Sequence, residues 1–191
     1  MSTEAEKKLW NSFRQGNKDA LKSIYNTFAD VLFNYGTKFS ADTDLVQDEI
    51  HDLFIYLFEK GKSLSVEVSL RPYLMVSLRR RILLRLKETN LMNNDGEKEK
   101  FSLDLSFEEK LINAEIQEEI KSSLKNALNN LTSREKEIIY LKYFENLNSV
   151  EISNIMQINN QATRNLLSKT LGKLRTMVSN THLLSSVLLS F

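Results

Sequence analysis

The stretch LTSREKEIIYLKYFENLNSVEISNIMQINNQATRNLLSKTLGKLR, residues 131–175, decides the fold. Thr132 followed three residues later by Glu135 fits a capping box, in which side chain and backbone at a helix start satisfy each other's hydrogen bonds. Asn148 and Glu151 follow the same logic with Asn as the cap. The two signals predict helices over about 133–145 and 149–156, and the pattern beyond them predicts a last helix over 160–179. At about 100° per residue, Thr163, Leu167, Thr170, Leu171, Leu174 and Val178 gather on one side of that helix. Gln161, Asn165, Ser168 and Lys169 gather on the other, with Arg164 and Arg175 flanking them. The helix before it, SVEISNIM, is short and amphipathic through Ile152, Ile155 and Met156. The connection QINN puts Ile158 at the corner, and Asn159 or Asn160 caps the longer helix. This is the outline of a helix-turn-helix; an ordinary αα-hairpin shares it. Amide, hydroxyl and amine side chains on the outer face are what base edges and phosphates in a major groove require.

Upstream, the helical period recurs. In 20–39 the residues Leu21, Ile24, Tyr25, Phe28, Val31, Leu32, Tyr35 and Phe39 form one face. Leu45, Ile50, Leu53, Phe54, Leu57 and Phe58 form a second stripe, closed at Gly61. Ser69 caps a third long helix with Pro72 in its first turn and a stripe of Leu70, Leu74, Leu78, Ile82 and Leu86. A short helix over 4–13 precedes all three. From Glu88 to about Glu109 the pattern fails in a polar, Gly-containing run, and it resumes at Leu111, Ile116, Ile120, Leu124, Leu128 and Leu131. The expected architecture is all-α: a helical domain over 1–90, a flexible linker over 91–110 and a second helical domain over 111–191.

Composition narrows the function. The chain has 191 residues, 41% of them hydrophobic, enough for packed cores. It has no cysteine, which excludes disulfides and thiol catalysis, and its two histidines, His51 and His182, lie far apart. No metal and no cofactor are expected. With five Gly and one Pro, a turn-rich β fold or a phosphate-cradling α/β enzyme is disfavoured. GKS at 61–63 resembles the tail of a phosphate-binding loop, but Tyr56 stands where that loop needs Gly. His51 lies among Asp48, Glu49 and Asp52 without a second His or Cys, so a metal or acid–base site is disfavoured there, and with it an enzyme. No apolar run is long enough to span a bilayer, and the start MSTEAEKKLW has no apolar signal core; a cytoplasmic protein without membrane insertion is expected. The apolar tail Leu183, Leu184, Val187, Leu188, Leu189 and Phe191 is expected to pack within the chain.

Charge is local rather than global. The net charge is +1, from 26 basic and 25 acidic residues. Arg71, Arg79, Arg80, Arg81, Arg85 and Lys87 nevertheless fall on the third long helix, and Arg164, Lys169, Lys173 and Arg175 on the last. Two positive faces separated by a linker suit a polyanion gripped at two places. Arg80 and Lys87 lie opposite the leucine stripe. Arg81 and Arg85 lie nearer the apolar side, where their stems can pack while their charged ends reach solvent, phosphate or a buried carboxylate.

The order of these elements resembles a bacterial RNA polymerase sigma factor of the extracytoplasmic-function subfamily, over about 9–175. GNKDALKSIYNTF is similar to the family's opening pattern, and the run from Asp48 to Phe54, DEIHDLF, to its Asp-x-x-Gln-Glu-x-Phe signature, with His51 in place of the usual Gln. Tyr73, Leu74, Arg79, Leu86 and Lys87 resemble the promoter-melting helix; Arg80 takes a usual Asn place and Leu84 a usual Asp place. LTSREKEI at 131–138 resembles Leu-Pro-x-x-x-Arg-x-x-Ile, and LKYFENL at 141–147 resembles Leu-Arg-Tyr-Phe-Glu-Gly-Leu. Gln157 stands where a turn Gly is frequent, a costly exchange if that residue needs positive φ. The resemblance implies two helical domains, regions two and four. Asp48, His51, Asp52 and Phe54 would bind core RNA polymerase. Arg79, Arg80, Arg81, Arg85 and Lys87 would act at the minus-ten element of promoter DNA, and the loop 61–69 would receive a flipped base. Gln161, Arg164, Asn165, Ser168 and Lys169 would read the minus-thirty-five element, with Arg134 on a phosphate. An anti-sigma factor is the implied regulator. Two other classes fit the same helices: a helix-turn-helix regulator acting without polymerase, and a helical adaptor that binds only protein.

Overall fold

The computed structural model describes residues 4–65, 69–93, 100–103 and 114–179, of which 62, 90–93, 114–121 and 178–179 are described through the backbone alone. Among these residues the chain is helical without a strand: α1 (Glu4–Arg14), α2 (Lys18–Gly36), α3 (Thr43–Lys60), α4 (Leu70–Asn93), α5 (Ala114–Asn129), α6 (Ser133–Ile139), α7 (Ser149–Met156) and α8 (Asn160–Ser179). A 3₁₀ turn, Gly61–Ser63, follows α3, and a π turn, Tyr140–Phe144, follows α6. The chain divides into two compact units that part between Lys100 and Phe101, with Asn154–Gln157 grouped with the first.

In the N-terminal unit α2, α3 and α4 pack on one another and α1 lies across α2 and α4. Side chains of α2 (Ile24, Phe28, Leu32, Tyr35), α3 (Val46, Ile50, Leu53, Leu57) and α4 (Leu70, Leu74, Leu78, Ile82) are buried together. Each fully buried Leu or Ile contributes about 2 kcal/mol relative to exposure, so this stripe-on-stripe core holds the three helices. Asn17 and Asp42 cap α2 and α3 through side-chain oxygens that accept backbone N–H groups 3.0–3.3 Å away. Gly36 of α2 faces side chains of both α3 and α4: a Cβ there would stand 2.6 Å from Val46 Cγ1 and 3.1 Å from Ile82 Cδ1. The Trp10 indole N–H donates to the Ser65 carbonyl at 3.0 Å, tying α1 to the segment after α3.

The structure amends several expectations. Helix α2 ends at Gly36 rather than at Phe39; Phe39 is still buried and meets Tyr35 edge-on, because tight turns at Lys38 and Phe39 fold the stripe back onto the core. Gly61 closes α3 as expected, but in the αR conformation, and the constraint on it comes from α1: a Cβ there would stand 2.5 Å from the Phe13 ring. Helix α4 runs to Asn93, into the expected linker, since no Gly or Pro interrupts it before Gly96. Phe101 and Leu103, also expected as linker, are buried, and the Phe101 N–H donates to Ser133 Oγ at 3.2 Å. The expected helix 133–145 is α6 followed by the π turn. The apolar tail, and the expected helical residues 111–113, lie outside the described residues.

Candidate nucleic-acid interface

The interface of the C-terminal unit is built from three capped starts. At α6, Thr132 Oγ1 accepts the Glu135 N–H (3.3 Å) while Glu135 Oε2 accepts the Thr132 N–H (2.9 Å), the expected capping box. At α7, Asn148 Oδ1 accepts from Val150 and Glu151 N–H (2.9 and 3.0 Å), and Glu151 Oε2 accepts the Asn148 N–H (2.9 Å). Between α7 and α8 the chain reverses through Gln157 at φ 55°, with the Ile158 N–H donating to the Ser153 carbonyl at 3.1 Å. This is the left-handed helix ending that favours Gly. Asn159 is the cap of α8, its Oδ1 accepting the Ala162 N–H at 2.7 Å.

Helix α8 is two-faced. Thr163, Thr170 and Leu174 are buried and Leu167 and Leu171 half-buried; the side chain of Val178 lies outside the described residues. The buried hydroxyls are satisfied within the helix, Thr163 Oγ1 donating to the Asn159 carbonyl and Thr170 Oγ1 to the Leu166 carbonyl. Gln161, Arg164, Asn165, Ser168, Lys169 and Arg175 are all exposed, as is Arg134 in the first turn of α6. Gln161 Nε2 donates to Asn165 Oδ1 at 3.1 Å, which orders two amides on the outer face. Lys173, counted with this basic set in the sequence, instead gives its ammonium to the Glu135 carboxylate of α6. Burial alone would raise the Glu135 pKa; the Lys173 hydrogen bond and the Thr132 donors outweigh it, and the carboxyl sits below its ordinary value.

The basic residues of α4 do not share one face. Arg80 and Lys87 are exposed on the same side, about 20° apart at helical spacing. Arg79 is buried with its guanidinium over the Phe39 ring, 5.9 Å from the centroid. Arg81 is half-buried, stacked 5.7 Å over Tyr56 and 3.9 Å from Glu49 of α3, while Arg85 is exposed. Burial raises the Glu49 pKa, and Arg81 offsets only part of it. The carboxylate that Arg81 meets is thus Glu49.

On α3, Asp48, His51 and Asp52 are exposed together, and Asp48 and His51 border a cleft of about 550 Å³ lined also by Tyr25, Asp30, Phe33 and Gln47. Phe54 lies beneath this face, 8% exposed and edge-on to Tyr25. The sequence missed the apolar part of the surface: Tyr25 (44%), Ile55 (44%), Tyr56 (40%) and Phe58 (58%) are open, and Lys18 covers the Phe58 ring at 5.5 Å. The missed signal is angular, since Phe58 lies about 100° from the centre of the buried stripe of α3. Of the loop 61–69, residues 66–68 lie outside the described residues. Among the described residues no cluster of His, Cys, Asp or Glu is placed to hold a metal ion, and no helix is long and apolar enough to cross a membrane.

Residues 127–176 match the family model described as sigma-70, region 4. No curated protein matches the chain. Among solved structures the chain is similar to one from the structure of CnrH in complex with the cytosolic domain of CnrY, at 13% identity and a TM-score of 0.60, over 93% of this chain and 99% of that one. It is also similar to a chain from the co-crystal structure of the sigma factor RpoE in complex with the anti-sigma factor NepR from Bartonella quintana. That likeness has 17% identity and a TM-score of 0.60, over 83% of this chain and 96% of the other.

Proposed function

We propose, from its region 4 match and its fold, that this chain is a sigma factor of the extracytoplasmic-function type that binds core RNA polymerase and directs it to promoters. The observation that carries the reading is the outer face of α8, where Gln161, Arg164, Asn165, Ser168 and Lys169 stand exposed on a helix capped by Asn159. Such a face suits the major groove of the minus-thirty-five element, and Arg134 a flanking phosphate. In the N-terminal unit Arg80, Arg85 and Lys87 are placed to meet minus-ten DNA from solvent. Arg79 and Arg81, packed on Phe39 and Tyr56, serve that element by shaping α4. Asp48, His51 and Asp52 form the open polar face for core polymerase, seated on Phe54. The described part of the loop 61–69 borders the place where an unstacked base would be held.

Few exposed cations mean a modest affinity for free DNA, since each neutralised phosphate adds one salt-dependent increment. Tight promoter binding then comes from tethering through polymerase, which raises the effective concentration. The role calls on no catalysis by this chain and places it in the cytoplasm. The similarity to a chain crystallised with an anti-sigma factor supports a regulator of that kind. Run-off transcription with purified core enzyme on a genomic promoter pool tests the reading: discrete start sites are expected only when the chain is added. The double reversal Arg164→Glu, Lys169→Glu should abolish them. A regulator acting alone would footprint a promoter without core enzyme, and a protein-only adaptor would ignore the reversal.

A further inference from the structure

Lys173 looks like one more phosphate ligand in the sequence, but its surroundings give it a different task. It sits four residues after Lys169, about 40° further round α8, at the border between outer and buried faces. Its side chain is half-exposed, 49%, yet its Nζ turns onto Glu135 Oε1. The carboxylate it meets is 8% exposed and already engaged: Glu135 Oε2 accepts the Thr132 N–H at 2.9 Å and the Thr132 hydroxyl at 3.1 Å. One carboxylate therefore holds the first turn of α6 with one oxygen and the reading helix with the other. Arg134, the proposed phosphate contact, is the neighbour of Glu135 on that same turn.

We propose that Lys173 and Glu135 form a positioning clamp that fixes the rotation of α8 against the start of α6, so that Arg134 and the Arg164–Lys169 face meet one duplex together. The proposal rests on the reading of α8 as the duplex-reading helix. Lys173 neutralises a protein carboxylate, so it releases no DNA counterion. It acts through Arg134, Arg164 and Lys169 rather than by touching nucleic acid. This makes the clamp separable from a phosphate contact, because a phosphate ligand contributes to the salt dependence of binding and a clamp does not.

The test measures binding of the full chain with core polymerase to a promoter fragment across a salt series. Lys173→Met should weaken binding about tenfold at one salt concentration and leave the slope of log K against log salt unchanged. Lys169→Met should make that slope shallower by about 0.9, the share of one phosphate. Lys173→Arg, which can still reach the carboxylate, should restore most of the affinity. Glu135→Gln gives the sharpest sign: removing an acid beside DNA favours binding if Lys173 is a phosphate ligand, whereas loss of the clamp weakens it. A slope shallower by about 0.9 in Lys173→Met, or tighter binding in Glu135→Gln, overturns the proposal. If the wild-type complex binds no promoter, the functional reading fails instead, and the clamp is judged on the free chain by hydrogen exchange. Exchange of the Thr132 amide at least about tenfold faster in Lys173→Met upholds the clamp there, and unchanged protection overturns it.

Discussion

The two units meet the same problem, a carboxylate enclosed between two helices, with opposite outcomes. In the N-terminal unit Glu49 of α3 faces Arg81 of α4 at 3.9 Å, beyond hydrogen-bonding distance, and the guanidinium is shared with the Tyr56 ring. Burial dominates, and the Glu49 pKa is raised. In the C-terminal unit Glu135 is at least as enclosed, but Lys173, the Thr132 amide and the Thr132 hydroxyl all donate to it, and its pKa is lowered. Directed donors, not a nearby opposite charge, decide the sign. The contrast extends to how each unit is held. Both units use side-chain caps, at Asn17 and Asp42 in the N-terminal unit, but that unit is also constrained where no atom can be added, at Gly36 and Gly61. The C-terminal unit is fixed by polar caps at Thr132, Asn148 and Asn159.

The largest expected effect breaks the polar side of this contrast. Glu135→Ala removes the cap partner of Thr132 and the acceptor of Lys173 together, and should destabilise the C-terminal unit by about 3 kcal/mol. Glu49→Gln removes a charge that burial already disfavours and should change the N-terminal unit by no more than about 0.5 kcal/mol. Urea unfolding can separate the two, because the single tryptophan, Trp10, reports on the N-terminal unit and amide exchange in α6 on the other. Equal losses would show that enclosure, not the donors, governs both sites.

Next comes the apolar side. Gly36→Ala would place a methyl 2.6 Å from Val46 Cγ1 and 3.1 Å from Ile82 Cδ1, both on fully buried residues. A cost of about 2 kcal/mol is expected in the Trp10 transition, despite the higher helix propensity of Ala. Gly172→Ala is the control. Nothing lies within 4 Å of its Cβ, so the same exchange in α8 should stabilise by about 0.5–1 kcal/mol. A stabilised Gly36→Ala would mean that the three helices can spread and that their close approach is not what holds them.

The response to pH is smaller and should carry opposite signs in the two units. Glu135, lowered in the folded chain, contributes stability that is present above its ordinary value of 4.5 and is lost as pH falls through its folded pKa. Glu49, raised in the folded chain, contributes stability that is full below 4.5 and is lost as pH rises through its folded pKa. Acidifying from neutral pH to about 4.5 should therefore favour the N-terminal unit through Glu49, and acidifying further should weaken the C-terminal unit through Glu135. Glu135→Gln should flatten the second limb alone, read as Tm against pH by hydrogen exchange.

What could be read from the sequence follows how local each interaction is. The capping boxes at Thr132 and Asn148 span three residues, and the outer face of α8 follows from one period, so each was legible without tertiary knowledge. Ion pairs between helices were not. Glu135 and Lys173 are 38 residues apart, and nothing in either segment names the other. The exposure of Tyr25 and Phe58 was misread because an apolar residue at the edge of a stripe looks like one at its centre until the neighbouring helix is placed. Gly61 was legible as the end of α3, but the reason a Gly stands there was not, because its constraint, the Phe13 ring, lies 48 residues away in the sequence. The basic residues of α4 separated once the turn after α2 supplied Phe39 and α3 supplied Tyr56 and Glu49 as partners.

The smallest expected effect sharpens the comparison at the reversals. The turn after α1 places Gly16 at φ 97°, whereas the reversal between α7 and α8 places Gln157 at φ 55° and the turn after the π segment places Asn146 at φ 51°. Asn tolerates the left-handed region through its short polar side chain; Gln, with a Cβ and a longer stem, is strained there. Gln157 recovers part of that strain because its Nε2 donates to the Asn154 carbonyl at 2.8 Å, but this bond is exposed to water. Gln157→Gly should therefore stabilise the helix-turn-helix by about 0.5–1 kcal/mol after the added freedom of the unfolded chain is subtracted, and Asn146→Gly by less. The check is an increase in urea midpoint at constant m-value. A lower midpoint for Gln157→Gly would mean that the side-chain bond to Asn154, rather than the backbone conformation, sets the energy of the turn that presents α8.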